Sequence, residues 1–497
     1  MQTMQNTRRD KLNLALLVRA FVVILFVVSS GLTSWSMKAA EDDGEESYFK
    51  SFAADWTFNG YLKNETAYRF REPRSITKIR NIFSLGGQYS VNENSSLTFS
   101  GWAYYDHAYD LFDYETIAAR IVRDESQPLV FVDNLEQEKD SPVAEIRELY
   151  LDIFTENMDI RLGKQFVVWG VLEGMRLTDE VNPMDFRELI LLDLLDYRIP
   201  LWTAKVDYYT EASTWQFLWI PELKLHKAAP RGSEWELLQD VPNMTRPDSS
   251  KIINSEIGIR YTKEILGTEV GLSYFYTWDD FPVVFRTAKI ASTAEPTLFP
   301  TFTRLNMYGL TFVTPVGGNI VKGEFVYVPD KYFGLENDTD IDGDGFLDSD
   351  GVLQKKHIRW GVGLDMNIWG MDISPAIAQW YIIDYDPVLF QDEFDTSIAL
   401  YIRKPMPEKS AVFQLLYINI LNAQESYLKP KIIFDVTDHF QIATGMDILY
   451  GSSSKLGIEA EGGRVIGVGA DTSVQRAQFF GNFNNNSRVF MEFKYTF

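Results

Sequence analysis

The chain contains no cysteine. That excludes disulfides, thiolate metal sites, a cysteine nucleophile, covalent c-type haem and a lipid anchor on an N-terminal cysteine. Histidine is scarce: His107, His226, His357 and His439 are the whole supply of imidazole bases. Asp106, His107 and Asp110 form an acidic cluster around one of them, and Asp438-His439 reads as a turn. No lipase serine motif, HExxH zinc motif or phosphate-cradling glycine loop occurs. An enzyme is therefore not expected, and an outer-membrane hydrolase is the weaker rival. Basic residues are in deficit, and the net charge of −23 argues against nucleic acid as a partner. Beyond the N-terminus no apolar run reaches the ~20 residues of a membrane-spanning helix. No blade repeat is visible, which argues against a propeller.

Aromatic residues, by contrast, are abundant, with 34 Phe, 25 Tyr and 12 Trp. The last ten residues show how they are used. Val489, Met491, Phe493, Tyr495 and Phe497 share one side of an extended strand. Arg488, Glu492, Lys494 and Thr496 share the other, with Phe490 the one apolar intruder. Period-two alternation ending on an aromatic suits the closing strand of a membrane β-barrel, one face on lipid and the other on a wet lumen. It resembles the C-terminal assembly signal of bacterial outer-membrane proteins, carried here by Phe493, Tyr495 and Phe497. Outer-membrane lipid and the outer-membrane assembly machinery are thus expected partners.

Residues 1–40 read as a signal peptide. Arg8, Arg9 and Lys11 precede the apolar stretch Ala20 to Ser29, and small residues lead to Ala39-Ala40. Met37 or Lys38 stands where the cleavage site prefers a small residue. The alternative is an uncleaved anchor helix, which Arg19 cuts short. Residues 41–497 then form a single barrel domain in a Gram-negative outer membrane.

Strand candidates come in pairs around turn chemistry. Asn81 to Val91 and Ser96 to Tyr105 flank Asn92-Glu93-Asn94. Leu201 to Thr210 and Thr214 to Ile220 flank Glu211-Ala212-Ser213. Arg304 to Thr314 and Asn319 to Val328 flank Pro315, Gly317 and Gly318, and Ile358 to Trp369 and Asp372 to Ile383 flank Gly370-Met371. With Trp56 to Phe70 first and the terminal strand last, about sixteen strands are expected (roughly 14 to 18) in one antiparallel transmembrane β-barrel. Asn59, Tyr61, Lys63 and Glu65 on one face of the first strand fit a wet interior better than a soluble sandwich. The long stretches 106–140 and 224–250 read as loops.

The pattern changes at Gly163-Lys164-Gln165, followed by Trp169-Gly170 and Asn182-Pro183-Met184-Asp185-Phe186-Arg187-Glu188. Pro183, with Asp185 and Glu188 near it, suits a helix N-terminus, and Leu189 to Leu195 would extend that helix to Pro200. This block resembles a family of Gram-negative outer-membrane barrels known as a domain of unknown function (number 1302). The resemblance implies a signal peptide, a large porin-like barrel and an export-system partner handling hydrophobic compounds. On physical grounds 171–200 is expected to fold inward as a plug, because irregular backbone at membrane depth must be surrounded by protein or water. Arg176, Asp179, Asn182, Asp185, Arg187 and Glu188 would line the constriction. A helix capping one barrel mouth is the alternative. The expected function is a porin-like channel for small solutes or export substrates; the alternative is a plugged barrel exporting hydrophobic compounds or lipids.

Residues 338–351 carry the sharpest local chemistry. Asp338, Asp340, Asp342, Asp344, Asp348 and Asp350 alternate around Gly343 and Gly345, and the Phe346 carbonyl adds a backbone ligand. Calcium takes six to eight oxygens around such a turn. Gly351 stands where a closing glutamate is usual, so a calcium site of modest affinity is expected.

Overall fold

The computed structural model describes residues 56–112, 116–117, 142–227, 229, 233–235, 245–287, 297–335, 348–451, 458–461, 464–468 and 480–497. The expected signal peptide, part of the stretch 106–140 and residues 338–347 of the acidic loop lie outside these residues.

Eighteen strands form one sheet. They are β1 Trp56–Arg69, β2 Ser75–Asn92, β3 Ser95–Asp106, β4 Val143–Phe154, β5 Met158–Gln165, β6 Leu201–Tyr209, β7 Ser213–Ile220, β8 Glu256–Ile265 and β9 Thr268–Trp278. There follow β10 Arg304–Val316, β11 Asn319–Gly334, β12 Val352–Ile368, β13 Met371–Ile383, β14 Phe394–Met406, β15 Ala411–Ile420, β16 Glu425–Asp435, β17 Phe440–Tyr450 and β18 Arg488–Thr496. Each strand pairs with its chain neighbours, and β18 pairs antiparallel with both β17 and β1, so the sheet closes on itself. Closure removes every unpaired edge, which is what allows a sheet to stand in hydrocarbon. The expected count of about sixteen falls two short but within the expected range.

Turn chemistry explains the hairpins. Leu266-Gly267, Gly317-Gly318 and Trp369-Gly370 all take positive φ at both positions. That is the mirror-image turn whose twist matches two flanking strands. Short connections of this kind cluster at the end where Phe497 meets Gly60 (Phe497 N to Gly60 O, 3.0 Å). The longer connections emerge at the other end. In bacterial barrels short turns face the periplasm and long loops face outward.

Alternation sorts the two faces. Phe217, Trp219, Ile257, Leu272 and Phe325 point outward and are exposed, and so does Met491 of β18. On a soluble protein so continuous an apolar band would be a liability; here it is the lipid-facing surface. Glu65, Lys78, Glu324, Lys431, Asp447 and Arg488 point inward and are buried. Phe490, the intruder in the terminal pattern, also faces inward. A Cβ on Gly445 would lie 2.6 Å from its ring, so the glycine makes room for it. Lys429 Nζ sits 5.7 Å from the ring centroid. A closed antiparallel barrel with an apolar exterior and a charged interior is the architecture of a porin-like outer-membrane protein.

Candidate functional site

The strand-to-strand connection 166–200, between β5 and β6, lies inside the barrel. Its entry and exit are tied together by Asn182, which is fully buried. Asn182 Oδ1 accepts the Val167 amide at 2.7 Å, and its Nδ2 donates to the Ile199 carbonyl at 2.8 Å. One side chain thus closes the base of the connection by satisfying a donor and an acceptor that are no longer in a strand ladder.

The first limb crosses to the far wall. Glu324, inward on β11, accepts from the amides of Val171 (2.6 Å), Leu172 (2.8 Å) and Thr178 (2.8 Å), and from the Thr178 hydroxyl (2.7 Å). Val167, Trp169, Leu172, Met175, Leu177 and Val181 bury themselves against Leu218, Phe275, Leu305, Met307, Val326 and Ala378 of the wall. Glycines on the wall permit the approach: Cβ atoms on Gly361 and Gly258 would lie 2.8 Å from Leu177 and Trp169 respectively. At the tip Gly174, with φ +73°, lies against Leu416 and Ala399.

The second limb runs extended. Leu189, with φ 55°, ends a single 3₁₀ turn at Phe186–Glu188, and only Leu194–Tyr197 adds one α-turn. The helix expected over Leu189 to Leu195 does not form. Leu189 and Leu191 bury against Trp235, Tyr427 and Phe480, while Ile190 and Leu192 face a cavity. A two-sided demand of that kind is met by an extended chain, not by a helix. Pro183 opens no helix: its carbonyl accepts the Ile199 amide at 2.8 Å.

The charged residues divide into two groups. Glu188 reaches the wall, 3.0 Å from Lys78, 2.5 Å from Arg80 and 3.5 Å from Arg488. Asp179, Arg176 and Arg187 pair within the segment instead, and Asp185 pairs there with Arg187 while also lying 4.0 Å from Lys227 of the connection after β7. Asp179 holds Arg198 through two contacts (2.8 and 2.5 Å), Arg187 clasps Asp185, and Arg176 donates to the Asn182 carbonyl at 3.0 Å.

Between this segment and the wall of β12–β18 and β1 lies a cavity of about 1260 Å³. Its lining has three chemistries. Near the outer loops stand His226, Asp279, Asp280, Glu180 and Lys331. His226 Nδ1 accepts the Met184 amide at 2.8 Å, and its ring meets the stacked Phe186 and Phe281 rings edge-on at 5.0 and 4.6 Å. Burial, helped by Arg176 and Lys331, holds this imidazole well below its ordinary pKa. Burial pushes Asp280 well above the usual carboxylate range, reinforced by Glu256, Glu180 and Asp279. Along the middle lie Trp380, Tyr401, Leu416, Ile418 and Ile420. A third zone holds Lys63, Lys429, Lys431, Lys494 and Glu492, faced by Asp193 of the segment. Burial alone would raise Asp193, but Lys429, Lys431 and Lys63 outweigh it and leave its pKa lowered.

Other residues singled out from sequence sit elsewhere. Asp106 accepts the Ile79 and Ala108 amides (2.9 and 3.2 Å), so its cluster with His107 shapes a strand end. Asp348–Gly351 forms a 3₁₀ turn, and Asp350 is exposed with φ 51°; Asp338, Asp340, Asp342, Asp344 and Phe346 lie outside the described residues. The apolar row Leu416, Ile418 and Ile420 was not singled out. Its signal was the run Leu415 to Ile420, apolar on both faces but for Asn419, where alternation should have given polar residues inward.

Residues 47–218 match the family described as Protein of unknown function (DUF1302). That stretch contains the Gly163 to Gln165, Trp169-Gly170 and Asn182 to Glu188 motifs. No curated protein matches the chain. Among solved structures, OccAB4 of Acinetobacter baumannii is 9% identical with a TM-score of 0.48, covering 89% of this chain and 98% of its own. OpdK of Pseudomonas aeruginosa, solved with vanillate, is 9% identical at 0.47, covering 89% and 99%. OccK8 (OprE) of Pseudomonas aeruginosa is 10% identical at 0.46, covering 90% and 99%.

Proposed function

We propose that the protein is a porin-like outer-membrane channel whose passage is set by the inward segment 166–200. The cavity of about 1260 Å³ between that segment and the β12–β18 wall carries the reading. A segment anchored on Glu324 at one wall and by Glu188 at another divides the lumen and leaves solutes one side of it. Arg176, Asp179 and Glu180 line the cavity from the segment and set its ion preference; Asn182 and Glu188 hold the segment in place. Steady open steps from the purified protein in a planar lipid bilayer are the expected result. Silence from folded, inserted protein would overturn it.

A second reading, passage of hydrophobic compounds in concert with an inner-membrane exporter, is favoured by one observation. The inward row of Leu416, Ile418 and Ile420 is apolar where a simple diffusion pore has water-binding side chains. Under that reading apolar solutes cross faster than sugars of equal size in liposome flux measurements.

A further inference from the structure

At the outer end of the cavity two polar side chains stand open. His226 and Asp280 both line it, with side chains only 7% and 11% exposed. Nδ1 of His226 accepts the Met184 amide, so the neutral imidazole carries its proton on Nε2. That N–H has no hydrogen-bond partner among the described residues. Neither has the Asp280 carboxyl, whose Oδ2 lies 3.7 Å from His226 Nδ1. Buried polar groups are nearly always paired, and two left open on one cavity mark a place for a ligand's own polar group. Among the described residues no third imidazole or carboxylate joins them in a metal-binding group.

Beside this pair stands an aromatic shelf. Phe281 lines the cavity and is 55% exposed. Phe186 stacks on it at 5.8 Å, and His226 meets it edge-on at 4.6 Å, which fixes the orientation of the ring. The shelf and the polar pair adjoin, because Asp280 precedes Phe281 in the chain and the imidazole touches both. A single flat ring carrying one hydroxyl therefore spans them. The charges nearby are already closed: Lys331 pairs with Asp279, and Arg359 with Glu180 at 3.2 Å. An ionic ligand would have to break one of these pairs.

We propose that the outer end of the cavity captures uncharged hydroxyaryl compounds, the ring stacked on Phe281 and the hydroxyl held between His226 and Asp280. The hydroxyl oxygen accepts from His226 Nε2, and its hydrogen is donated to an Asp280 oxygen. Ring stacking adds the apolar contact that Phe281 leaves open. The inference rests on the channel reading and names a substrate class for it.

The test uses the intact protein in lipid nanodiscs with 4-fluorophenol as probe, read by broadening of its fluorine resonance against empty nanodiscs. 4-Fluoroanisole keeps the ring without the hydroxyl hydrogen, and cyclohexanol, added as a competitor, keeps the hydroxyl without the flat ring. Saturable broadening of 4-fluorophenol is expected, with 4-fluoroanisole about fivefold weaker, the loss of one hydrogen bond, and little displacement by cyclohexanol. Asp280→Leu lowers 4-fluorophenol to the level of 4-fluoroanisole and leaves 4-fluoroanisole as it was. Phe281→Ala weakens both, and Phe281→Trp retains both. Equal binding of the two fluorinated probes, displacement by cyclohexanol at equal concentration, or binding unchanged in both Asp280→Leu and Phe281→Ala overturns the proposal. Steady current in a planar bilayer without 4-fluorophenol binding removes the site and leaves the channel. A silent protein that still binds 4-fluorophenol, and loses it in Phe281→Ala, removes the channel and leaves the site.

Discussion

Lys78 Nζ donates to Glu188 Oε2 at 3.0 Å, joining the barrel wall to the segment that crosses its lumen. Both side chains are buried. The contact does not stand alone: Lys78 also meets Glu65 at 2.5 Å, and Arg488 meets Asp447 at 2.8 Å. Glu188 brings the segment into this network at Lys78, Arg80 and Arg488.

Removing its charge leaves Lys78, Arg80 and Arg488 with a carboxylate too few. Breaking a buried pair by deleting one partner costs about 3–5 kcal/mol. Glu188→Ala is therefore expected to release the second limb, seen as larger and noisier open-channel current. The barrel should survive, because its strand ladders are untouched; retention of the compact band on an unheated gel checks that.

Glu324→Ala acts on the first limb. The amides of Val171, Leu172 and Thr178 lose their acceptor, at about 1–3 kcal/mol for each buried donor left unsatisfied. Amide hydrogen exchange should rise over 171–178 and stay unchanged on β8 and β9. Protection retained in the variant would show that the apolar packing of Trp169 and Leu177 holds the limb without Glu324.

The outer end of the cavity predicts a pH dependence. Burial and the neighbouring carboxylates raise the pKa of Asp280, so it keeps its proton to higher pH than an ordinary carboxyl. As pH rises through its elevated pKa the passage gains a negative charge, so cation selectivity increases. The reversal potential in a salt gradient reads this directly, and Asp280→Asn should flatten the profile. His226 has the opposite bearing on stability. Its folded-state pKa is depressed, so the unfolded chain takes up the proton first as pH falls below about 6.5. Its contribution is complete above that pH and is lost progressively below it. Melting of the purified protein should therefore come earlier at pH 5 than at pH 7, with a smaller difference in His226→Gln.

The aspartate alternation of residues 338–350 predicts calcium binding on sequence grounds alone. Calorimetry should show calcium-dependent heat that falls in Asp342→Ala and Asp344→Ala. No heat in the parent protein ends that expectation.

Much of the barrel was legible because its physics is local. Val489 to Phe497 displays its two faces in nine residues, and Gly317-Gly318 announces a hairpin without reference to any other part of the chain, as does Gly370, although the turn falls at Trp369-Gly370 and not at the expected Gly370-Met371. The lumen was less legible because its partners are remote. Glu188 stood out within Asn182 to Glu188, but nothing near it in sequence points to Lys78, Arg80 and Arg488, which closure of the sheet brings to it. The run Leu189 to Leu195 has a helix-forming composition, yet Leu189 and Leu191 are buried in one apolar cluster, Leu192 faces the cavity, and Ile190 borders both. Tertiary demand of that sort overrides propensity. Phe490 looked like a flaw in the alternation until Gly445, across the ladder, supplied the space for it.

The central claim, that the inward segment sets the passage, is tested most directly by comparing single-channel conductance of the parent with a variant in which residues 171–198 are replaced by a short glycine-serine linker. A wide passage of several-fold higher conductance and weakened ion selectivity is the expected result. Equal conductance and selectivity in the two proteins would contradict it.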